Sequence, residues 1–220
     1  MSNHKIHIYF MPGMAANPSI FNNIKLSESD FVVHYLEWLI PNKNETISNY
    51  AKRLLENVKH QSPVLIGVSF GGIIVQEMAK HIETKKVIIV SSVKSNKELP
   101  KRMIFAKYTK AYKILPTNLV SNVELIAKYA FGERVVKRLE LYEKYLSIRD
   151  KSYLDWAIFQ IVNWEQKIPN PNIIHIHGEK DPVFPISHIK DCIIIKGGTH
   201  IMIINKYRWF NENLPSLILK

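Results

Sequence analysis

Pro63-Val64-Leu65-Ile66-Gly67-Val68-Ser69-Phe70-Gly71-Gly72-Ile73-Ile74 is the stretch that decides the architecture. Its first half is a short apolar run stopped by Pro63, which reads as a strand buried on both faces. Its second half opens a helix expected over Phe70 to His81, with Ile73, Ile74, Met78 and Ala79 on the buried side. Ser69 falls on the junction, at the centre of Gly67-Val68-Ser69-Phe70-Gly71, a G-x-S-x-G pattern. A sharp strand-to-helix turn strains the serine backbone and pushes its hydroxyl into the open. Gly67 and Gly71 leave room for neighbouring backbone, and Gly72 lets the helix lie close to the sheet. The first helical N–H groups then face the reacting centre. A serine that merely caps the helix is the competing reading of the same residues.

Working outward, apolar runs alternate with helical patterns. Strands are expected at Ile6–Met11, Phe31–Leu36, Val87–Val90, Ile173–His177 and Cys192–Ile195. A helix capped by Thr46 or Asn44 carries Ile47, Tyr50, Ala51, Leu54, Leu55 and Val58 at helical spacing. A closing helix is expected over Met202 to Leu217, with Pro215 weakening its end. Strand–helix alternation with nearly continuous apolar strands predicts an α/β doubly wound, mostly parallel six-stranded sheet. The gap between the fourth and fifth strands has helical spacing at Val135, Leu139, Tyr142 and Leu146 and no good strand. An insertion of that size is expected to form a lid or cap.

The chain has 220 residues, 46% hydrophobic and 22% charged, which fits one generous soluble domain and excludes intrinsic disorder. Its one cysteine, Cys192, excludes an internal disulfide and reads as a small buried thiol. With no second cysteine and no H-E-x-x-H pattern, a metal site is not expected, and no other cofactor is implied. The apolar run at Ile6–Met11 is interrupted by His7 and stops at Pro12-Gly13, too short for a secretory segment, so the cytoplasm is the expected location. No stable membrane insertion is expected either.

The net charge of +11 is regional. Lys94 to Lys151 holds fourteen Lys or Arg against six Asp or Glu. Such a surplus attracts anionic groups, an anionic small-molecule substrate among them. Nucleic-acid readers lean on Arg, however, and the chain has 24 Lys to 6 Arg, with 31 Ile and 17 Asn, the drift of AT-rich coding. No nucleic-acid partner is expected.

A serine hydroxyl needs a base, and the base needs an orienting acid. His200, in Gly197-Gly198-Thr199-His200, follows the last strand. Asp181, in Gly178-Glu179-Lys180-Asp181-Pro182-Val183, follows the fifth. Both sit at carboxyl ends of strands, on the same edge as Ser69, where doubly wound sheets place their sites. Glu179 competes with Asp181 from a less favourable position. His175, His177 and His188 read as core or surface residues, and Asp155 and Glu124 have no positional argument. Phe105, Tyr108, Tyr112, Tyr129, Phe131, Trp156, Phe159 and Trp164 are expected to pack the insertion and to line an apolar pocket.

On the serine turn, the Gly-x-x-Asp-Pro-Val turn and the Gly-Gly-x-His turn, each in its expected place, the chain resembles the α/β-hydrolase superfamily. The resemblance covers residues 5–96 and 172–218. It implies a core domain of residues 1–96 and 172–220, interrupted by a helical cap at 97–171, with the family's first two strands absent and a strand order of 2-1-3-4-5-6. It implies Ser69 as nucleophile, Asp181 as acid and His200 as base. The oxyanion hole would come from the backbone N–H of Phe70 and of Met14, with Met11 where many members have histidine. Such a chain is expected to be a serine hydrolase that cleaves a carboxylic ester or thioester through an acyl-enzyme. A lyase, a cofactor-free C–C bond-cleaving enzyme and a ligand-binding module are the alternatives on the same fold.

Overall fold

The computed structural model describes residues 5–114 and 145–220, with the side chain of Ile114 excepted. Six short strands form its sheet: β1 (Ile6–Met11), β2 (Phe31–Tyr35), β3 (Val64–Val68), β4 (Lys86–Val90), β5 (Ile173–Gly178) and β6 (Ile193–Ile195). Every neighbouring pair is parallel, in the order β2-β1-β3-β4-β5-β6. All five residues of β3 are buried, as are all of β4 except Lys86, because helices cover both faces of a parallel sheet. The edge strands β2 and β6 are the partly exposed ones.

The chain leaves β1 outward to β2, then crosses back over β1 to β3. That reversal opens a crevice between the carboxyl ends of β1 and β3, where Met11 pairs with Gly67. The β1 exit and the β3–Ser69 turn therefore meet at the position where such sheets bind ligands.

Helix α1 (Ile47–Leu55) is capped by Thr46, whose side chain accepts the Asn49 N–H, and buries Tyr50, Ala51 and Leu54. Asn44 instead takes a left-handed turn conformation. Helix α2 (Phe70–Met78) is buried along its whole length. Helices α3 (Lys101–Thr109) and α4 (Lys151–Asn163) lie between β4 and β5 in sequence. Asp150 caps α4, and Trp156 anchors it by donating from Nε1 to the Glu45 carbonyl at 2.7 Å.

Several expectations change. Helix α2 ends at Met78, before His81, and Cys192 lies outside β6, half-buried, where burial pushes its thiol up. The closing helix is two helices, α5 (Met202–Asn205) and α6 (Tyr207–Leu219), separated at Lys206, whose φ of −115° is not helical. Pro215 does not end α6, because buried Leu214 and Ile218 hold its last turns against the core. Leu146, expected on a helix with Val135, Leu139 and Tyr142, instead makes an antiparallel bridge to Ala16. Val135, Leu139 and Tyr142 lie outside the described residues, as do Glu124, Tyr129, Phe131 and much of the basic stretch. Among the described residues, no helix is long and apolar enough to cross a membrane.

Candidate active site

Ser69 links β3 directly to α2 with φ 54° and ψ −121°, a backbone region that costs a non-glycine residue about 1–3 kcal/mol. Two hydrogen bonds hold the strained turn. The Ser69 N–H donates to the Val90 carbonyl at 2.9 Å, and the Ser92 hydroxyl donates to the Ser69 carbonyl at 2.7 Å. The glycines on either side permit the crossing. A Cβ on Gly67 would lie 2.2 Å from the Gly71 oxygen, and one on Gly71 would lie 2.3 Å from the Pro12 oxygen. The helix-cap reading of Ser69 fails, since its side chain makes no capping bond.

The Ser69 Oγ lies 2.9 Å from Nε2 of His200. The other ring nitrogen, Nδ1, lies 2.9 Å from Oδ2 and 3.1 Å from Oδ1 of Asp181. The three residues expected at strand ends are thus brought into one chain of hydrogen bonds. With its Nδ1–H donated to a carboxylate, the imidazole presents the Nε2 lone pair to the serine hydroxyl.

Asp181 is almost wholly buried, and its Oδ1 also accepts the N–H groups of Val183 and Phe184. Burial opposes its ionisation, but His200, as charge and as donor, His177 and the Phe184 amide outweigh it and hold the carboxyl below the ordinary aspartate value. His177 stands behind the acid. Its Nε2–H donates to the Phe184 carbonyl at 2.8 Å and lies 3.6 Å from Asp181 Oδ2. Its Nδ1 is 3.1 Å from Nε2 of His175, so His175 donates to it. Burial pushes both imidazoles down, His175 to about 3 with help from His177 and Lys94. Glu179 is exposed, and its carboxylate accepts the Gly197 N–H at 2.8 Å. It does not take Asp181's place in this network. Asp155 is exposed and ion-paired with Lys151, and His188 is half-buried in a short 3-10 turn.

The β1 exit loop lies against the serine, with the Cβ position of Gly13 3.4 Å from Ser69 Cβ. Met14, the residue after Gly13, is half-buried in that loop, and Phe70, the residue after Ser69, is buried. Met11 is fully buried. Two side chains absent from the sequence expectations pin the loop. The indole Nε1 of buried Trp38 donates to the Gly13 carbonyl at 2.9 Å, and the Tyr153 hydroxyl accepts the Ala15 N–H at 3.3 Å. Trp38 also stacks on Phe70, with ring centroids 5.1 Å apart at 6°. Its position in Leu36-Glu37-Trp38-Leu39, after β2, carries no local signal of this contact.

Of the aromatics expected to pack together, Trp156 contacts Tyr50 and Phe70, and buried Trp164 donates to Glu77. Tyr112 meets Phe159 edge-on. Phe105 and Tyr108 are exposed instead, as α3 has no buried residue.

No protein-family model matches the sequence, and no curated protein sequence does either. Solved structures do. An esterase from Exiguobacterium antarcticum superposes with a TM-score of 0.73 at 16% identity, over 98% of this chain and 92% of that one. The chain has the α/β-hydrolase fold. A protein described as a putative lipase, from Acinetobacter baumannii, matches with a TM-score of 0.70 at 16% identity, over 99% of this chain and 85% of that one. A bromoperoxidase from Bacillus anthracis matches with a TM-score of 0.66 at 18% identity, over 99% and 92%. One α/β-hydrolase scaffold therefore carries several named activities, and the chemistry of this chain has to be argued from its site.

Proposed function

We propose that the chain is a serine hydrolase that cleaves a small carboxylic ester or thioester through an acyl-enzyme. The observation that carries this reading is the His200 ring, bonded at 2.9 Å to Ser69 Oγ on one side and at 2.9 Å to Asp181 on the other. Ser69 Oγ attacks the acyl carbon while Nε2 of His200 takes its proton. Asp181 fixes the tautomer and stabilises the imidazolium. Negative charge on the former carbonyl oxygen is met by the backbone N–H groups of Met14 and Phe70. The intermediate then expels the alcohol or thiol, which receives the proton from Nε2. Water repeats the sequence on the acyl-enzyme, releasing the acid and free Ser69. No step requires a cofactor.

Residues 97–171 form, on this reading, a helical cap on a core of 1–96 and 172–220, with α3 and α4 as its described helices. The basic composition of that segment favours substrates with an anionic group, and the cytoplasm is the proposed location. Neither nucleic acid nor membrane insertion has a part in the reaction.

The test pairs a fluorophosphonate probe with a panel of short- and long-chain acyl esters and thioesters. The expected result is stoichiometric labelling lost in Ser69→Ala, together with turnover of at least one ester class. Labelled protein that hydrolyses no ester or thioester would overturn the reading in favour of lyase or binding chemistry.

A further inference from the structure

His7, His34 and His60 come from three separate segments and bring one ring nitrogen each to within 4.8 Å of one another. Neighbouring parallel strands place paired residues on the same face, so His34 stands beside Tyr9, its register partner. His7, two residues before Tyr9, shares that face. His60 arrives on the loop between α1 and β3, which Tyr9 fastens: the Tyr9 oxygen accepts the Lys59 N–H at 3.0 Å and lies 2.7 Å from His60 Nδ1. His7 Nδ1 and His34 Nε2 are 3.0 Å apart, and the rings of His7 and His60 stack at 3.4 Å. All three side chains are half-buried, and none belongs to the Ser69 site.

We propose that His7, His34 and His60 form a binding site for a divalent first-row transition-metal ion, zinc(II) foremost, completed by water. The donor set is the reason. Three neutral imidazoles suit zinc, cobalt, nickel and copper, and offer nothing to calcium or magnesium. Zinc–nitrogen bonds of about 2.0–2.1 Å in a tetrahedron put nitrogens about 3.3 Å apart. The proton now shared by His7 and His34 spans a similar gap. An ion in its place would give all three imidazoles one shared partner. Burial, reinforced by the neighbouring histidines, also holds His7 and His34 below the ordinary imidazole value, which keeps lone pairs available at neutral pH.

The His7 and His60 rings must turn from their stack to aim at one ion, a motion about χ2 that is soft for imidazole. Tyr9 supplies the outer support: its oxygen can accept Nδ1–H of His60 and leave Nε2 as the ligand. The site would tie β1, edge strand β2 and the loop leading into β3 together. This runs against the sequence expectation of no metal, because three histidines separated by 27 and 26 residues match no local motif.

Tag-free, chelator-stripped full-length protein is titrated with zinc(II) against a chromophoric chelator, and with cobalt(II) read by its visible d–d absorption. One ion per chain is expected. Binding should weaken about tenfold or more in His34→Gln and in His60→Gln, with unchanged circular dichroism. Tyr9→Phe should weaken it less. Zinc(II) should raise the melting temperature of the wild type and not of His34→Gln, while labelling of Ser69 stays the same in all variants. Absence of a stoichiometric ion overturns the proposal. So does undiminished binding in the His7→Gln/His34→Gln/His60→Gln protein, which would assign the ion to another site.

Discussion

The guanidinium of Arg102 donates to the carbonyl oxygen of Val183 at 2.8 Å, and to that of Pro182 at the same distance. A residue of α3 therefore grips the turn that begins at Asp181, across 80 positions of sequence. The carboxylate at the head of that turn is the one bonded to Nδ1 of His200. Arg102→Ala should lower kcat several-fold on any ester substrate, with a smaller change in KM, since the loosened turn misplaces the acid rather than the substrate. Arg102→Lys should recover part of the loss, as an ammonium reaches one carbonyl but not both. A kcat unchanged in Arg102→Ala would limit the contact to packing.

The proposed triad makes a sharper claim. Ser69→Ala should abolish probe labelling, and His200→Ala should lower turnover by orders of magnitude. Asp181→Asn should cost about 10⁴-fold, because an amide leaves the imidazole in the wrong tautomer. The losses should not add: Ser69→Ala/His200→Ala should be no slower than Ser69→Ala alone, since the groups act as a unit. Single-turnover rates on the variants measure this directly, and near-normal rates in His200→Ala would move the base elsewhere.

Trp38 fixes an orientation rather than a charge. Its indole holds the Gly13 carbonyl, and in a trans peptide that carbonyl and the Met14 N–H point in opposite directions. Fixing one therefore aims the other. Trp38→Phe retains the ring against Phe70 and removes only the N–H donor, so kcat should fall about tenfold, less than the 10²–10³ that follows loss of an oxyanion donor itself. The effect should be small in KM. A fall confined to KM would make Trp38 a pocket wall instead.

The site and its surroundings differ in how far they could be read in advance. Ser69, Asp181 and His200 each follow a strand whose apolar run ends abruptly, so topology alone sends them to one rim. The grips that hold them are of another kind. Trp38 to Gly13, Tyr153 to Ala15 and Arg102 to Val183 are side-chain contacts to distant backbone, and backbone carries no residue-specific mark in a sequence. The break at Lys206 was hidden for a related reason. It has no glycine or proline to announce it, whereas Pro215, which looks like a stop, is overridden by buried neighbours. His7, His34 and His60 converge only once β1, β2 and the approach to β3 are in register.

His175 and His177 give the last prediction, one that concerns stability. Both are buried in the neutral form, near Lys94, Asp181 and His200. The His175 value falls from the ordinary 6.5 to about 3 in the folded chain. Below pH 6.5 the unfolded chain therefore binds a proton that the folded one refuses, and stability declines as pH falls toward 3. Asp181 adds to the same trend lower down, since its depressed value keeps its contribution until the pH drops through the folded value. The whole loss should reach a few kcal/mol, and the curve should be flat with respect to these groups above pH 7. His175→Gln keeps a donor for His177 and cannot titrate, so urea midpoints taken from pH 7.5 to 4 should fall less steeply in that variant. Equal slopes in the two proteins would mean that His175 takes up its proton without unfolding the chain.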